Sequence, residues 1–161
     1  MERKSYKSLV AEQAAEIEQI FPWDLLDELD AGIDLLLLDI RCPDEFALAR
    51  IEGAINVPRG ILELAVDYGY EETVPELVEA HQRRIVVICR SGNRSILAAR
   101  TLKSMGFAQV ASLRTGLRGW NDYEQRLVTT DGCSLNPNTV DEIFRARVTL
   151  AQQGADRSRA A

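Results

Sequence analysis

A chain of 161 residues, 46% of them hydrophobic, can bury one core and carry short appendages. Its formal charge of -6 argues against a nucleic-acid or anionic-membrane binder, either of which needs a basic face, and no stretch is long and apolar enough to span a bilayer. The polar start Met1-Glu2-Arg3-Lys4-Ser5-Tyr6-Lys7 stands where a signal core would lie, so the expected setting is cytoplasmic.

Tyr6, Leu9, Val10, Ala14, Ile17, Ile20 and Phe21 recur at helical spacing and predict an amphipathic helix over residues 5–20, stopped before Pro22. Trp23, Leu25, Leu26 and Leu29 predict a second short helix closed by Gly32. The continuous apolar run from Ile33 to Leu38 reads as a strand buried on both faces, and Pro43 then opens a charged helix through Arg50. Ala54 to Val57 reads as a short strand ended by Pro58, with a helical turn at Ile61, Leu62, Leu64 and Ala65. Over residues 66–83 only a solvated acidic face (Glu71, Glu72, Glu76, Glu79) and inward Val74, Leu77 and Val78 are legible. A strand at Ile85–Ile88, a helix to about Met105 with a Gly106 stop, a strand at Val110–Leu113 and a closing helix from Trp120 to Leu127 follow. After the turn signals Asp131-Gly132 and Asn136-Pro137-Asn138, a helix carries Val140, Ile143, Phe144 and Val148, and a polar tail from Gln152 to Ala161 reads as disordered. Strands alternating with helices, several wholly apolar, predict an α/β fold with a mostly parallel sheet covered by helices on both faces.

The chemistry gathers at Cys89-Arg90-Ser91-Gly92-Asn93-Arg94-Ser95, between an apolar strand and an amphipathic helix. Such a junction aims backbone N–H groups and the positive end of a helix dipole at one spot, which favours an anion. Two arginines strengthen that field, and Gly92 lets the backbone turn with no side chain over the sulfur. The cysteine thiolate is the competent nucleophile, so the loop reads as an anion pocket built around Cys89, at the carboxyl end of a central strand where ligands of open α/β sheets bind. Three widely spaced cysteines (Cys42, Cys89, Cys133) and one histidine suit neither a disulfide framework nor a zinc site, so no metal is expected. His81 and the pair Arg83-Arg84 read as surface residues, Trp120 as core and Cys133 as a tail thiol. Arg59 reads equally as a pocket rim or a solvated loop residue.

These motifs in this order resemble the rhodanese family of single-domain sulfurtransferases. Cys89 to Arg94 is similar to the family's six-residue active-site loop. Leu38-Asp39-Ile40-Arg41 with Asp44-Glu45-Phe46 is similar to its Asp-x-Arg segment. Ile51 to Pro58 resembles the next motif, and Gly106-Phe107, Val110, Leu113, Gly116 and Trp120 resemble the closing one. The resemblance implies a central sheet of about five strands over residues 17–128, an appended N-terminal helix in residues 1–16 and a C-terminal extension over 129–161. It further implies that Cys89 takes the outer sulfur from a donor such as thiosulfate and carries it as a persulfide. The acceptor would be a thiol, cyanide or a sulfur-carrier protein, and no metal or organic cofactor is called for. Arg90, Ser91, Gly92, Asn93, Arg94 and Ser95 would hold the anionic donor, with Asp39, Arg41 and Arg59 in support. Arg94 either touches substrate or braces the loop through a carboxylate, Asp39 being the candidate partner.

The chain departs from the family pattern at Arg50 (usually His), Glu52 (usually Pro), Cys42 (usually acidic) and Thr115 (usually Gly), positions expected to shape or rim the pocket. Cys42, just past a neighbouring strand end, is either a rim residue or a redox partner of Cys89. Two other classes stand beside sulfur transfer. Cysteine-dependent phosphatases and arsenate reductases use a similar loop with five residues between Cys and Arg where this chain has four, and non-catalytic rhodanese-like interaction modules typically lose the nucleophile.

Overall fold

The computed structural model describes residues 2–154. Five strands, β1 (Glu18–Ile20), β2 (Leu35–Asp39), β3 (Ile55–Asn56), β4 (Arg84–Ile88) and β5 (Gln109–Leu113), form one parallel sheet in the order β1-β5-β4-β2-β3. Central β4 is paired on both sides, with Asp39 opposite Ile88 and Ser112 opposite Val87. The pleat sends alternate side chains to opposite faces, so each face needs its own cover. Ile85, Val87 and, one step beyond the strand, Cys89 join one core cluster, while Val86 and Ile88 join the other.

Helices α1 (Tyr6–Ala14), α4 (Leu62–Ala65), α5 (Pro75–Val78) and α6 (Arg94–Ser104) cover the first face with Val10, Leu62, Leu77, Ile96 and Leu102. Helices α2 (Pro22–Asp30), α7 (Gly116–Asp122) and α8 (Pro137–Phe144) cover the second with Leu25, Leu117, Trp120, Val140 and Phe144. The C-terminal extension thus contributes to the core: Val140 and Phe144 are buried, and Asn121 donates to Pro137 O and Asp141 Oδ1. A short helix α3 (Pro43–Leu48) joins β2 to β3, starting at Pro43 with Glu45 Oε2 accepting the Cys42 N–H at 3.1 Å.

The expected helix over 5–20 is two elements. α1 stops at Ala14, and Glu18–Ile20 pairs with β5 instead. Ile17 and Ile20 fit helical spacing, yet the open edge of β5 offers backbone partners that a surface helix cannot, and Arg114 N–H donates to Ile20 O at 2.7 Å. The closing helix also sits earlier than expected, at 116–122. It ends where Glu124 takes φ 57, and Leu127 and Val128 leave it, Val128 bridging Arg50 by two backbone hydrogen bonds of 2.9 and 3.1 Å. The strand expected from Ile33 begins at Leu35, leaving Ile33 exposed, and the next is reduced to Ile55–Asn56. Residues 59–61 and 79–82 form 3₁₀ turns. Val148 lies past the end of α8 and is exposed. Gln152, expected in a disordered tail, belongs to the capped turn α9 (Leu150–Gln153), where Thr149 Oγ1 accepts the Gln152 N–H at 3.3 Å; the rest of that tail, from residue 155, lies outside the described residues.

Arg84, read from the sequence as a surface residue, is instead a tie between distant parts of the chain. It donates to Glu18 at 2.7 and 3.0 Å and to Glu28 at 2.8 and 3.1 Å, locking β1 and α2 to the start of β4. The hydrogen bond from Arg84 holds the Glu18 carboxyl below its ordinary range.

Candidate active site

The apolar run of β4 ends at Cys89, and α6 begins at Arg94, so the loop between them must reverse the chain within four residues. Gly92 makes this possible with φ +88. A Cβ there would stand 2.8 Å from Thr115 N and 3.1 Å from Leu113 O. The turn leaves Cys89, 1% exposed, with its Sγ accepting the Gly92 N–H at 3.1 Å and the Ser95 N–H at 3.4 Å. Sγ is also 3.3 Å from Ser95 Oγ, which in turn lies 2.7 Å from the buried Ser112 Oγ on β5. Two backbone N–H groups, a hydroxyl relay and the N-terminus of an 11-residue helix therefore converge on one sulfur. In front of it is a cavity of about 110 Å³ lined by Tyr6, Cys89, Arg90, Ser91, Asn93 and Arg94. The buried Nε of Arg90 has no hydrogen-bond partner among the described residues.

Arg94 braces the loop, but through Glu45 and not Asp39. Its two terminal nitrogens donate to Glu45 Oε2 and Oε1 at 3.0 and 2.9 Å, a bidentate pair that joins α6 to α3. Hydrogen bonding from Arg94 holds the Glu45 carboxyl at about 2, against the opposing effect of burial. Because that folded-state value is depressed, the contribution of the pair to stability is complete above the ordinary carboxylate range near 4.5 and is lost as pH falls toward about 2. Asp39 instead faces Arg41, both 1% exposed at the side chain, with Arg41 Nε and Nη2 donating at 2.8 to 3.1 Å. Arg41 also donates to Ala49 O at 2.6 Å and Glu45 O at 3.3 Å, so it fixes both the end of α3 and the residue that holds Arg94. Asn56 Nδ2 bonds Asp39 O and Arg41 O and completes this support.

Helix α7 presses on the loop from the other side. Leu117 and Arg118 N–H donate to Cys89 O and Arg90 O, both at 3.0 Å, which turns these carbonyls away from the sulfur. The approach is so close that a Cβ on Gly116, at φ +60, would meet Cys89 O at 2.5 Å. Thr115 precedes it at φ 67, a left-handed conformation that a β-branched residue adopts at a cost of about 1 kcal/mol. Thr115→Gly should therefore raise the melting temperature by about 3 °C in a chain of this size, and a fall on calorimetry would refute the strain assignment.

Arg59, the other support residue, faces elsewhere. It bonds Glu63 Oε1 at 3.1 Å and Thr101 Oγ1 at 3.0 Å in a separate groove between α1 and α6. Arg50 and Glu52 do not rim the cavity either: Arg50 lies over the Phe46 ring at 4.3 Å, and Glu52 pairs with Arg126. Cys42 and Cys133 are exposed free thiols outside the cavity lining. Trp120 is core, with its Nε1–H donating to Arg126 O at 3.1 Å, and His81 is exposed. Tyr6 and Ser112 are site residues that the sequence did not reveal. A lone serine in the otherwise apolar run Val110–Leu113 was a signal for Ser112; Tyr6 comes from more than eighty positions upstream and carried none.

A parallel five-stranded sheet with a Cys-to-Arg anion loop at its central strand defines a rhodanese-type domain, and the chain belongs to the rhodanese-like domain family, whose model matches residues 22–123. It is 34% identical over 110 residues to YrkF of Bacillus subtilis (strain 168), whose name places it among sulfur carrier proteins; the match covers 68% of this chain and 54% of that protein. The chain thus spans about half the length of that relative. A thiosulfate sulfurtransferase from Pseudomonas aeruginosa shares the fold with a TM-score of 0.61 and 26% identity, over 83% of this chain and 24% of that one. A Rhodopseudomonas palustris CGA009 protein of unknown function, named as a possible tyrosine phosphatase, superposes with a TM-score of 0.71 and 28% identity, over 80% of this chain and 97% of that one. Among the described residues no helix is long and apolar enough to cross a membrane, and no group of three or more metal-ligating side chains occurs.

Proposed function

We propose that this domain transfers sulfane sulfur from an anionic donor such as thiosulfate to a thiophilic acceptor through a persulfide on Cys89. The observation that carries this reading is the Cys89 sulfur itself, cradled by the Gly92 and Ser95 N–H groups in a cavity shared with Arg90 and Arg94. The thiolate attacks the outer sulfur of thiosulfate. A sulfur–sulfur bond forms to Cys89, the original one breaks, and sulfite leaves with its electron pair. The persulfide keeps the negative charge in the same cradle, and an acceptor (a thiol, cyanide or a sulfur-carrier protein) takes the terminal sulfur and restores the thiolate. A cavity of about 110 Å³ suits an anion of a few heavy atoms, given that a water occupies about 30 Å³. The unpartnered Arg90 Nε is a donor in want of an anion. A reducing, cytoplasmic setting suits three free thiols.

The likeness to a protein named as a possible phosphatase gives phosphoryl transfer a hearing. Here four residues separate Cys89 from Arg94, and the Arg94 fork is already occupied by Glu45. Intact mass before and after incubation with thiosulfate decides: one added sulfur, absent after cyanide, is expected. Turnover of p-nitrophenyl phosphate with no added sulfur would overturn the proposal.

The two arginines divide the work. Arg90→Ala should raise the KM for thiosulfate about tenfold with little change in melting temperature, because its side chain supplies an unpaired donor. Arg94→Ala should lower kcat and melt about 3 °C earlier, because it removes a partly exposed clamp worth about 1 kcal/mol. Indistinguishable KM and melting shifts in the two variants would contradict this division.

A further inference from the structure

We propose that Tyr6, on the N-terminal helix, is a substrate-positioning residue of the Cys89 site, its phenolic hydroxyl donating a hydrogen bond to the anionic sulfur donor; this rests on the sulfur-transfer reading above. Among the described residues, Tyr6 is the one lining the Cys89 cavity that the loop from Cys89 to Arg94 does not supply, and it lies outside the family-matched segment 22–123. It is 53% exposed, so packing does not account for a tyrosine there.

Its placement is built rather than incidental. Ser5 caps α1, its Oγ accepting the Ser8 N–H at 3.0 Å, and Lys4 pairs with Glu12. Val10 is buried against the α6 face of the core. At the far end of α1, Lys103 Nζ donates to Glu16 O at 2.7 Å, and Arg100 pairs with Glu16 at 3.3 Å. The mouth residue on α1 is thus tied along that helix to α6, whose N-terminus closes the loop that carries Cys89. A phenol is protonated at neutral pH in its ordinary range, and partial desolvation, then the charge of Cys89, push the Tyr6 hydroxyl further up against the opposing pull of Arg94 and Arg90, so it is able to donate. A neutral hydroxyl beside two arginines adds one more directed donor at the mouth of the cavity.

The test uses the full chain as wild type, Tyr6→Phe and Tyr6→Ala. Thiosulfate:cyanide kinetics are measured together with the rates at which iodoacetate, an anion, and iodoacetamide, its neutral analogue, alkylate Cys89, followed by mass of the Cys89 peptide so that the exposed Cys42 and Cys133 do not contribute. Tyr6→Phe should raise the KM for thiosulfate about tenfold, as expected for a lost hydrogen bond to a charged group, with kcat within about twofold and an unchanged melting temperature. The iodoacetate-to-iodoacetamide rate ratio should fall severalfold in the same variant. In Tyr6→Ala iodoacetamide should also react faster, because the ring no longer covers the mouth. An unchanged KM and an unchanged alkylation ratio in Tyr6→Phe overturn the proposal. Should wild type show no thiosulfate turnover, sulfur transfer from that donor fails, and the alkylation ratio alone still decides whether Tyr6 positions anions at Cys89.

Discussion

Cys89→Ser should abolish sulfur transfer, with a loss on the order of a thousandfold or more, while leaving the fold intact. A serine hydroxyl fits the space of a residue that is 1% exposed and can accept the same Gly92 and Ser95 N–H groups, so the melting temperature should move by only a few degrees. What disappears is the sulfur nucleophile: a serine hydroxyl is a far weaker nucleophile without a base, and no histidine lines the cavity to activate it. Cys42→Ser and Cys133→Ser should retain transfer, both thiols being exposed and outside the cavity. Intact mass after thiosulfate should show one added sulfur in these two variants and none in Cys89→Ser. Sustained turnover by Cys89→Ser would remove the sulfur of residue 89 from the mechanism.

The site was legible where its chemistry is contiguous. Cys89 to Ser95 carries the nucleophile, the glycine that admits the turn and both arginines in one heptad of sequence, and the apolar run before it announces a buried strand. The partners of those residues come from elsewhere in the chain, and local pattern does not encode them. Asp39 and Glu45 are both carboxylates within reach of an arginine by sequence order alone. The fold gives Asp39 to Arg41 and Glu45 to Arg94 because Asp39 is the last residue of β2 and points into the space Arg41 turns back to fill, whereas Glu45 stands on the first turn of α3 facing α6. Strand β1 is illegible in the sequence for a related reason. Three residues cannot display a period, and its identity as a strand comes from the edge of β5 rather than from its own propensity. The start of helix α7 is not encoded locally, because it is defined by Gly116 closing on Cys89 O, a contact between positions twenty-seven apart.

Asp39→Asn should be the most damaging substitution to stability that leaves the cavity lining untouched. Asp39 and Arg41 are both 1% exposed at the side chain, and the carboxylate takes Arg41 N–H, Nε and Nη2. An isosteric amide keeps the packing but leaves the Arg41 charge uncompensated in the interior, a change that costs about 3 kcal/mol or more. For a chain of this size that corresponds to a melting point lower by about 10 °C. The carbonyls of Glu45 and Ala49, the remaining acceptors of Arg41, are dipoles and do not neutralise it. The loss should reach the active site along a defined route. Arg41 fixes α3, Glu45 on α3 holds Arg94, and Arg94 closes the loop of Cys89, so kcat should fall well below the temperature at which the protein melts. Asp39→Leu combined with Arg41→Met separates charge from support. Removing both ions restores part of the stability, because no buried charge is left unpaired, but it also removes the anchor of Ala49 and Glu45. The double variant should therefore melt above Asp39→Asn while remaining poor in kcat. Recovery of stability and kcat together would show that the pair does not position the loop, and a melting shift of under about 2 °C in Asp39→Asn would show that its charge is not buried as described.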